Sequence, residues 1–108
     1  MKTRPLLFAA LLVLAGCAMT AKNDPSVPAV TPALIAVGGG APPRLLAQGR
    51  EVYTRACAAC HAPLPVTNYP MVRWRAIIGD MADRTELADG DRSALLAYLT
   101  AATAGARP

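Results

Sequence analysis

The stretch Cys57-Ala58-Ala59-Cys60-His61 contains two of the three cysteines of the chain and its only histidine. The pattern C-x-x-C-H is typical of a site at which a c-type haem is attached. Two thiols about one helical turn apart can reach the two vinyl groups of one haem and form thioethers, and the adjacent imidazole then binds the iron as its proximal ligand. The motif therefore predicts one covalent haem c, held by Cys57, Cys60 and His61.

Three other interpretations of these residues explain the pattern less well. A thioredoxin-like redox pair is expected in a βαβ context, whereas both flanks of the motif have helical patterns. A structural zinc ion takes four ligands, and this stretch supplies three. A plain disulfide between Cys57 and Cys60 would leave His61 without a role.

The composition limits the chain to one small domain. It has 108 residues, 54% of them apolar, and a net charge of +4. A domain of this size usually needs a stabilising cross-link or metal, and a covalent haem would serve. Lys2 and Arg4 lie in a segment that we expect to be removed, which leaves nine basic and seven acidic residues. Because there is no basic run and no aromatic stacking platform, we expect no nucleic-acid partner.

Residues 1–16 are predicted to be a lipoprotein signal peptide. A positively charged start precedes an apolar run, Leu6 to Leu14, that is too short to span a membrane. The end of this run, Leu14-Ala15-Gly16-Cys17, resembles the lipobox of bacterial lipoproteins. The resemblance implies cleavage before Cys17 and a lipid on its sulfur, and two or more acyl chains hold a protein stably at a membrane. The alternative is an ordinary signal peptide in which Cys17 is incidental.

Both interpretations of the N-terminus export the chain, in agreement with c-type haem, which is attached outside the cytoplasm. We therefore expect a protein on the periplasmic side of a bacterial membrane. In enterobacterial lipoproteins an aspartate after the lipidated cysteine favours retention in the inner membrane. Ala18 occupies that position here, which favours the outer membrane.

Residues 17–43 are predicted to form a lipid-anchored linker rich in proline, glycine and alanine. The spaced prolines disfavour one continuous helix and favour extended stretches. Such a linker would hold the domain away from the bilayer. The alternative is that the apolar run from Leu34 to Val37 packs on the domain.

Residues 44–108 are predicted to form the haem domain, with three helices at apolar spacings of three and four residues. The first covers 44–56, the middle one 72–81, and the last 90–102 with Asp89 as its N-cap. Gly49 would allow Tyr98 or Leu99 to approach the first helix closely.

Three side chains outside the motif are candidates for the wall of the haem pocket. Leu64 and Pro65 follow the motif in an extended, proline-rich loop. Trp74 would pack against the haem or a propionate, or simply in the core.

The chain resembles short monohaem class I c-type cytochromes. The residues that carry the resemblance are Gly49 with Tyr53, the C-x-x-C-H motif, Trp74 followed by Met81, and Leu95 to Leu99. The resemblance implies an all-α, small class I cytochrome c-like fold of three to four helices around a covalent haem, with the first and last helices crossing. The segment from Trp74 to Met81 is also similar to small cytochrome subunits of periplasmic dehydrogenases.

In this family a methionine usually binds the distal side of the iron, which raises the reduction potential. The candidates are Met81, which occupies the position of the family's middle helix, and Met71, which lies closer to His61 in the sequence. The resemblance favours Met81 as the distal ligand, with Met71 as the alternative.

Two functions are compatible with such a haem. The first is a non-enzymatic carrier of single electrons between periplasmic donor and acceptor proteins, including a dehydrogenase of which it could be a subunit. The second is an open-site haem protein, a gas sensor or a peroxidase-like enzyme, with Tyr69, Arg73 or Arg75 as distal candidates. We favour the carrier because the only histidine is used as the proximal ligand.

Overall fold

The computed structural model describes residues 26–60 and 62–106, and this part of the chain contains helices and turns but no strand. Its α-helices are α1 (Pro32–Val37), α2 (Pro43–Arg55), α3 (Met71–Thr85) and α4 (Asp89–Gly105). Single 3₁₀ turns cover Cys57–Ala59 and Val66–Asn68. The predicted all-α class is confirmed. No helix in the described ranges is both long and apolar enough to cross a bilayer.

Helices α2 and α4 form the main helix pair, and they cross at Gly49. A Cβ atom added at Gly49 would lie 2.0 Å from the carbonyl oxygen of Ala94 and 2.6 Å from the Cβ of Tyr98. Only a glycine allows the two backbones to come this close. The predicted approach of Tyr98 to Gly49 is confirmed.

The core is built around α4, which contacts each of the other three α-helices. Its members come from every helix and from the 3₁₀ turn at 66–68, and they include Leu46, Val52, Tyr53, Val66, Trp74, Ile78, Leu95, Tyr98 and Leu99. Each fully buried aliphatic side chain of this kind contributes about 1.5–3 kcal/mol to folding.

Helix α3 is one turn longer than predicted. It continues past Met81 to Thr85, and the added turn places Ala82 in the core, where it is only 6% exposed. Glu86 then ends the helix in the left-handed conformation, with φ of 52°. Met81 therefore lies within a helix and not at its end.

The start of α4 differs from the prediction by one residue. Ala88 occupies the N-cap position, with extended backbone angles and no side-chain capping bond, so the prediction that Asp89 is the N-cap is wrong. Asp89 and Asp91 instead lie in the first turn of α4. Carboxylates there interact favourably with the exposed N–H groups at the start of the helix.

Much of the predicted linker packs on the helices. Helix α1 begins with Pro32 after Thr31, whose hydroxyl accepts a hydrogen bond from the Leu34 amide at 3.2 Å. Leu34 and Val27 are 6% and 7% exposed. The alternative that the stretch around Leu34 packs on the domain therefore describes the fold, and the predicted boundary at residue 44 does not separate a spacer from a folded body. We call residues 26–37 the docked segment; Cys17 and the signal peptide lie outside the described residues.

Candidate cofactor-binding site

An apolar cavity of about 120 Å³, open to solvent at its mouth, lies between α2, α3, α4 and the loop after the C-x-x-C-H motif. Small-molecule and cofactor sites are lined mostly by apolar side chains with a few polar groups. The described residues that line this cavity are Tyr53, Ala56, Cys57, Pro63, Leu64, Trp74, Ile77, Ile78, Met81, Ala82, Thr85, Leu87, Leu95 and Leu99.

The two cysteines of the motif differ in their surroundings. Cys57 begins the 3₁₀ turn after α2, is half-buried and lines the cavity, whereas Cys60 is exposed and is not among the described lining residues. Both are free thiols. Burial raises the pKa of the Cys57 thiol, so the thiol is held in its neutral form. His61, the predicted iron ligand, lies outside the described residues.

The loop after the motif supplies one wall of the cavity. Leu64 lines it together with Pro63, whereas Pro65 is not among the described lining residues. The Tyr53 hydroxyl donates a hydrogen bond to the carbonyl oxygen of Leu64. Burial, and secondly the neighbouring Cys57, raises the pKa of Tyr53. The sequence does not indicate this bond between Tyr53 and Leu64. The four-residue spacing of Tyr53 and Cys57 indicates only that these two side chains lie near the same face.

Trp74 is both a core residue and a wall of the cavity. It is 3% exposed, and its indole N–H donates to the carbonyl oxygen of Val66 at 2.9 Å. Its ring meets those of Tyr53 and Tyr69 edge-on, with centroids 5.9 and 5.3 Å apart. The carbonyl oxygen of Val66 already accepts this N–H, so the indole N–H of Trp74 is not available to bond a haem propionate. The apolar ring remains as a wall.

The two candidate methionines lie at different places on α3. Met81 lines the cavity together with Ile77 and Ile78. Met71 is the first residue of α3 and packs against the core, but it is not among the described lining residues. The fold thus brings Met81 to the same cavity as Cys57.

The distal candidates of the open-site alternative are placed elsewhere. Arg73 and Arg75 are exposed, and Tyr69 packs against Trp74. None of the three is among the described residues that line the cavity. Within residues 26–60 and 62–106, no three or more His, Cys, Asp or Glu side chains gather as metal ligands.

The described residues fit a haem attached through the motif. Their side chains form an apolar cavity that opens to solvent, with a thiol from the motif and a methionine thioether on its lining. Trp74 and Leu64, which the sequence indicated as wall residues, line it as well. Comparisons of the chain with protein-family models, with curated proteins and with solved structures found no match.

Proposed function

We propose that this protein is a lipid-anchored carrier of single electrons, with one covalent haem c in a small class I cytochrome c-like fold. The observation that carries the proposal is that one apolar cavity is lined both by Cys57 of the C-x-x-C-H motif and by Met81. This type of haem site needs a cysteine thiol for covalent attachment and a methionine thioether to bind the iron. Here the two groups come from separate helical regions of the sequence.

Each residue has a defined role in this proposal. Cys57 and Cys60 would hold the haem through thioethers, and His61 and Met81 would bind its iron. The bound haem supplies a reversible one-electron couple at its iron. The thioether of Met81 favours the reduced state and raises the reduction potential. The apolar side chains of Ile77 and Leu95 exclude water and lower the local dielectric constant, which tunes the potential further.

The carrier is favoured over the open-site alternative by the chemistry of the lining. Apart from Cys57, the described lining residues with a side-chain donor hydrogen are Tyr53, Trp74 and Thr85. Each of the three already donates to a backbone carbonyl oxygen. A peroxidase-like reaction requires a general acid or base close to an open iron position. No arginine, acidic residue or amine stands among the described lining residues to serve in that way.

The proposed location is the periplasmic side of a bacterial membrane, with the outer membrane favoured by Ala18, and the anchor is a lipid on Cys17. The proposed partners are periplasmic donor and acceptor proteins, including a dehydrogenase. Five arginines lie between residues 44 and 75, and five of the seven carboxylates lie between residues 80 and 91. A surface with both signs of charge suits transient docking between redox proteins.

The distal ligand gives the sharpest test of this function. Met81→Ala removes a thioether from the cavity lining, and Met71→Ala removes one from outside it. Both variants are matured in a host with haem-attachment machinery. We expect only Met81→Ala to lose the far-red methionine–iron charge-transfer band and to bind carbon monoxide rapidly when reduced. If the band survives in Met81→Ala, the ligand assignment is wrong, and rapid carbon monoxide binding by the unaltered protein would favour the open-site alternative.

A further inference from the structure

The docked segment is held to the helices through its backbone carbonyls. The carbonyl oxygen of Pro28 accepts hydrogen bonds from the Tyr98 hydroxyl at 2.7 Å and from Arg50 Nε at 3.1 Å. The carbonyl oxygen of Ser26 accepts from the Val66 amide at 2.9 Å. Tyr98 and Val66 are both fully buried, so these bonds join the segment to the centre of the core.

Apolar contacts reinforce this attachment. The buried side chains of Val27 and Leu34 belong to the core cluster, and Val30 and Ile35 pack against it. Helix α1 lies against α4. The docked segment is therefore an integral layer of the fold, although its composition is that of a spacer.

This attachment shortens the tether between the lipid and the folded body. Eight residues separate Cys17 from Ser26, and an extended chain spans at most about 3.3–3.6 Å per residue, so the tether reaches about 30 Å. If the chain were free up to Pro43, where α2 begins, its reach would be about 90 Å. Docking thus removes about two thirds of the distance that the linker could span.

We propose that the docked segment keeps the helical body within about 30 Å of the membrane that carries the Cys17 lipid, so that electron exchange with its partners takes place close to that membrane. The inference rests on the proposed function, which supplies the anchor and the haem. A compact body of about 80 residues is about 30 Å across. The cavity therefore stays within about 60 Å of the bilayer surface, and a partner must present its redox centre inside this layer.

The test uses the full chain, lipidated and matured with haem, in liposomes whose headgroups carry a blue-emitting fluorophore. Haem absorbs that emission, so the quenching reports how close the cavity lies to the bilayer. Leu34→Asp places a charge in the buried face of α1, and Ala36→Asp is the matched control because Ala36 is exposed on the same helix. A third variant carries ten Gly/Ser residues inserted after Asp24, which adds about 35 Å of reach without changing the docked segment.

We expect the unaltered protein and Ala36→Asp to quench equally, with slow hydrogen exchange at the amides of residues 34–37. The insertion variant should quench at least twofold less with an unchanged visible spectrum. Leu34→Asp leaves the bonds to Ser26 and Pro28 in place and should instead speed the hydrogen exchange of residues 34–37. Equal quenching by the insertion variant and the unaltered protein, or exchange of residues 34–37 in the unaltered protein at the rate of an unfolded peptide, would overturn the inference.

The same samples separate this inference from the proposed function. A protein that fails to float with the liposomes has no anchor, which overturns the inference but leaves the haem assignment standing. A protein that floats but has no haem absorption contradicts the carrier, and hydrogen exchange then still decides whether the segment is docked.

Discussion

The hydroxyl of Tyr53 donates a hydrogen bond to the carbonyl oxygen of Leu64. Tyr53 lies one helical turn before Cys57, and Leu64 lies in the loop after the motif, so the bond closes a loop that contains the whole C-x-x-C-H stretch. Both side chains also line the cavity. The bond therefore ties the position of the motif to the core through Tyr53, which is 3% exposed.

Replacing Tyr53 by Phe should keep the ring and remove only this bond. We expect a loss of about 0.5–1.5 kcal/mol in the free energy of unfolding, the usual contribution of such a bond. Because the loop carries the residues next to His61, the reduction potential should shift as well. Denaturant titration and redox titration of the holoprotein measure the two effects. Tyr69→Phe is the matched control, since Tyr69 is not among the described lining residues, and equal effects of both variants would contradict the role of Tyr53.

The buried tyrosines predict a loss of stability at alkaline pH. Burial raises the pKa of Tyr98 to about 12, with neighbouring Arg50 opposing part of the shift, and the pKa of Tyr53 is raised too. In the unfolded chain a tyrosine loses its proton near pH 10, so this contribution to stability is complete below pH 10 and falls between pH 10 and about 12. Unfolding free energies measured from pH 8 to 12 should show the decline. Tyr98→Phe should make the decline shallower, and an unchanged slope in that variant would show that Tyr98 is not its cause.

The helix crossing at Gly49 predicts opposite effects of the same substitution at two helical glycines. Gly49→Ala introduces a methyl group that would overlap the Ala94 carbonyl, and overpacking of this kind costs about 1–3 kcal/mol or more. Gly79→Ala on α3 meets only the end of the Arg92 side chain, 3.7 Å away, so the helix propensity of alanine should stabilise it by up to about 1 kcal/mol. Thermal unfolding of both variants provides the comparison. A Gly49→Ala protein as stable as Gly79→Ala would mean that α2 and α4 do not cross here.

Trp74→Phe should leave a wall of the cavity in place and remove the donor to the Val66 carbonyl. That carbonyl belongs to a fully buried residue, and a buried acceptor without a partner costs about 1–3 kcal/mol. We expect lower stability with a largely unchanged haem spectrum, measured by denaturant titration followed in the far-ultraviolet and in the visible. A large spectral change without loss of stability would instead indicate that the indole N–H contacts the haem.

Periodic apolar spacing was sufficient to predict the three main helices. It did not predict the docked segment, because the hydrogen bonds that fix it come from Arg50 and Tyr98, which are distant in the sequence. The local signals for α1 were the apolar run from Leu34 to Val37 and Thr31 followed by Pro32, since proline is favoured at the first position of a helix. The extra turn of α3 depends on the burial of Ala82, which has no sequence signature of its own.

Part of the candidate site could also be predicted from local sequence patterns, and the rest depends on long-range packing. The motif identified Cys57, and the family resemblance indicated Trp74 and Met81, all of which line one cavity. Leu95 reaches that cavity because α4 packs across α2 and α3, and Leu87 reaches it from the turn between α3 and α4. Local patterns do not encode this tertiary arrangement. The hydrogen bond between Tyr53 and Leu64 depends on how the loop folds back on α2, which its two prolines do not determine.

The most direct measurement is whether pigment stays with the chain after denaturation. Protein matured in a host with haem-attachment machinery is denatured and extracted with acid–acetone, and its mass and colour are then determined. Haem joined through Cys57 and Cys60 should remain in the precipitate and add the mass of one haem, and Cys57→Ser or Cys60→Ser should leave a single thioether. A colourless precipitate with the mass of the bare polypeptide would contradict the assignment of this chain as a c-type cytochrome.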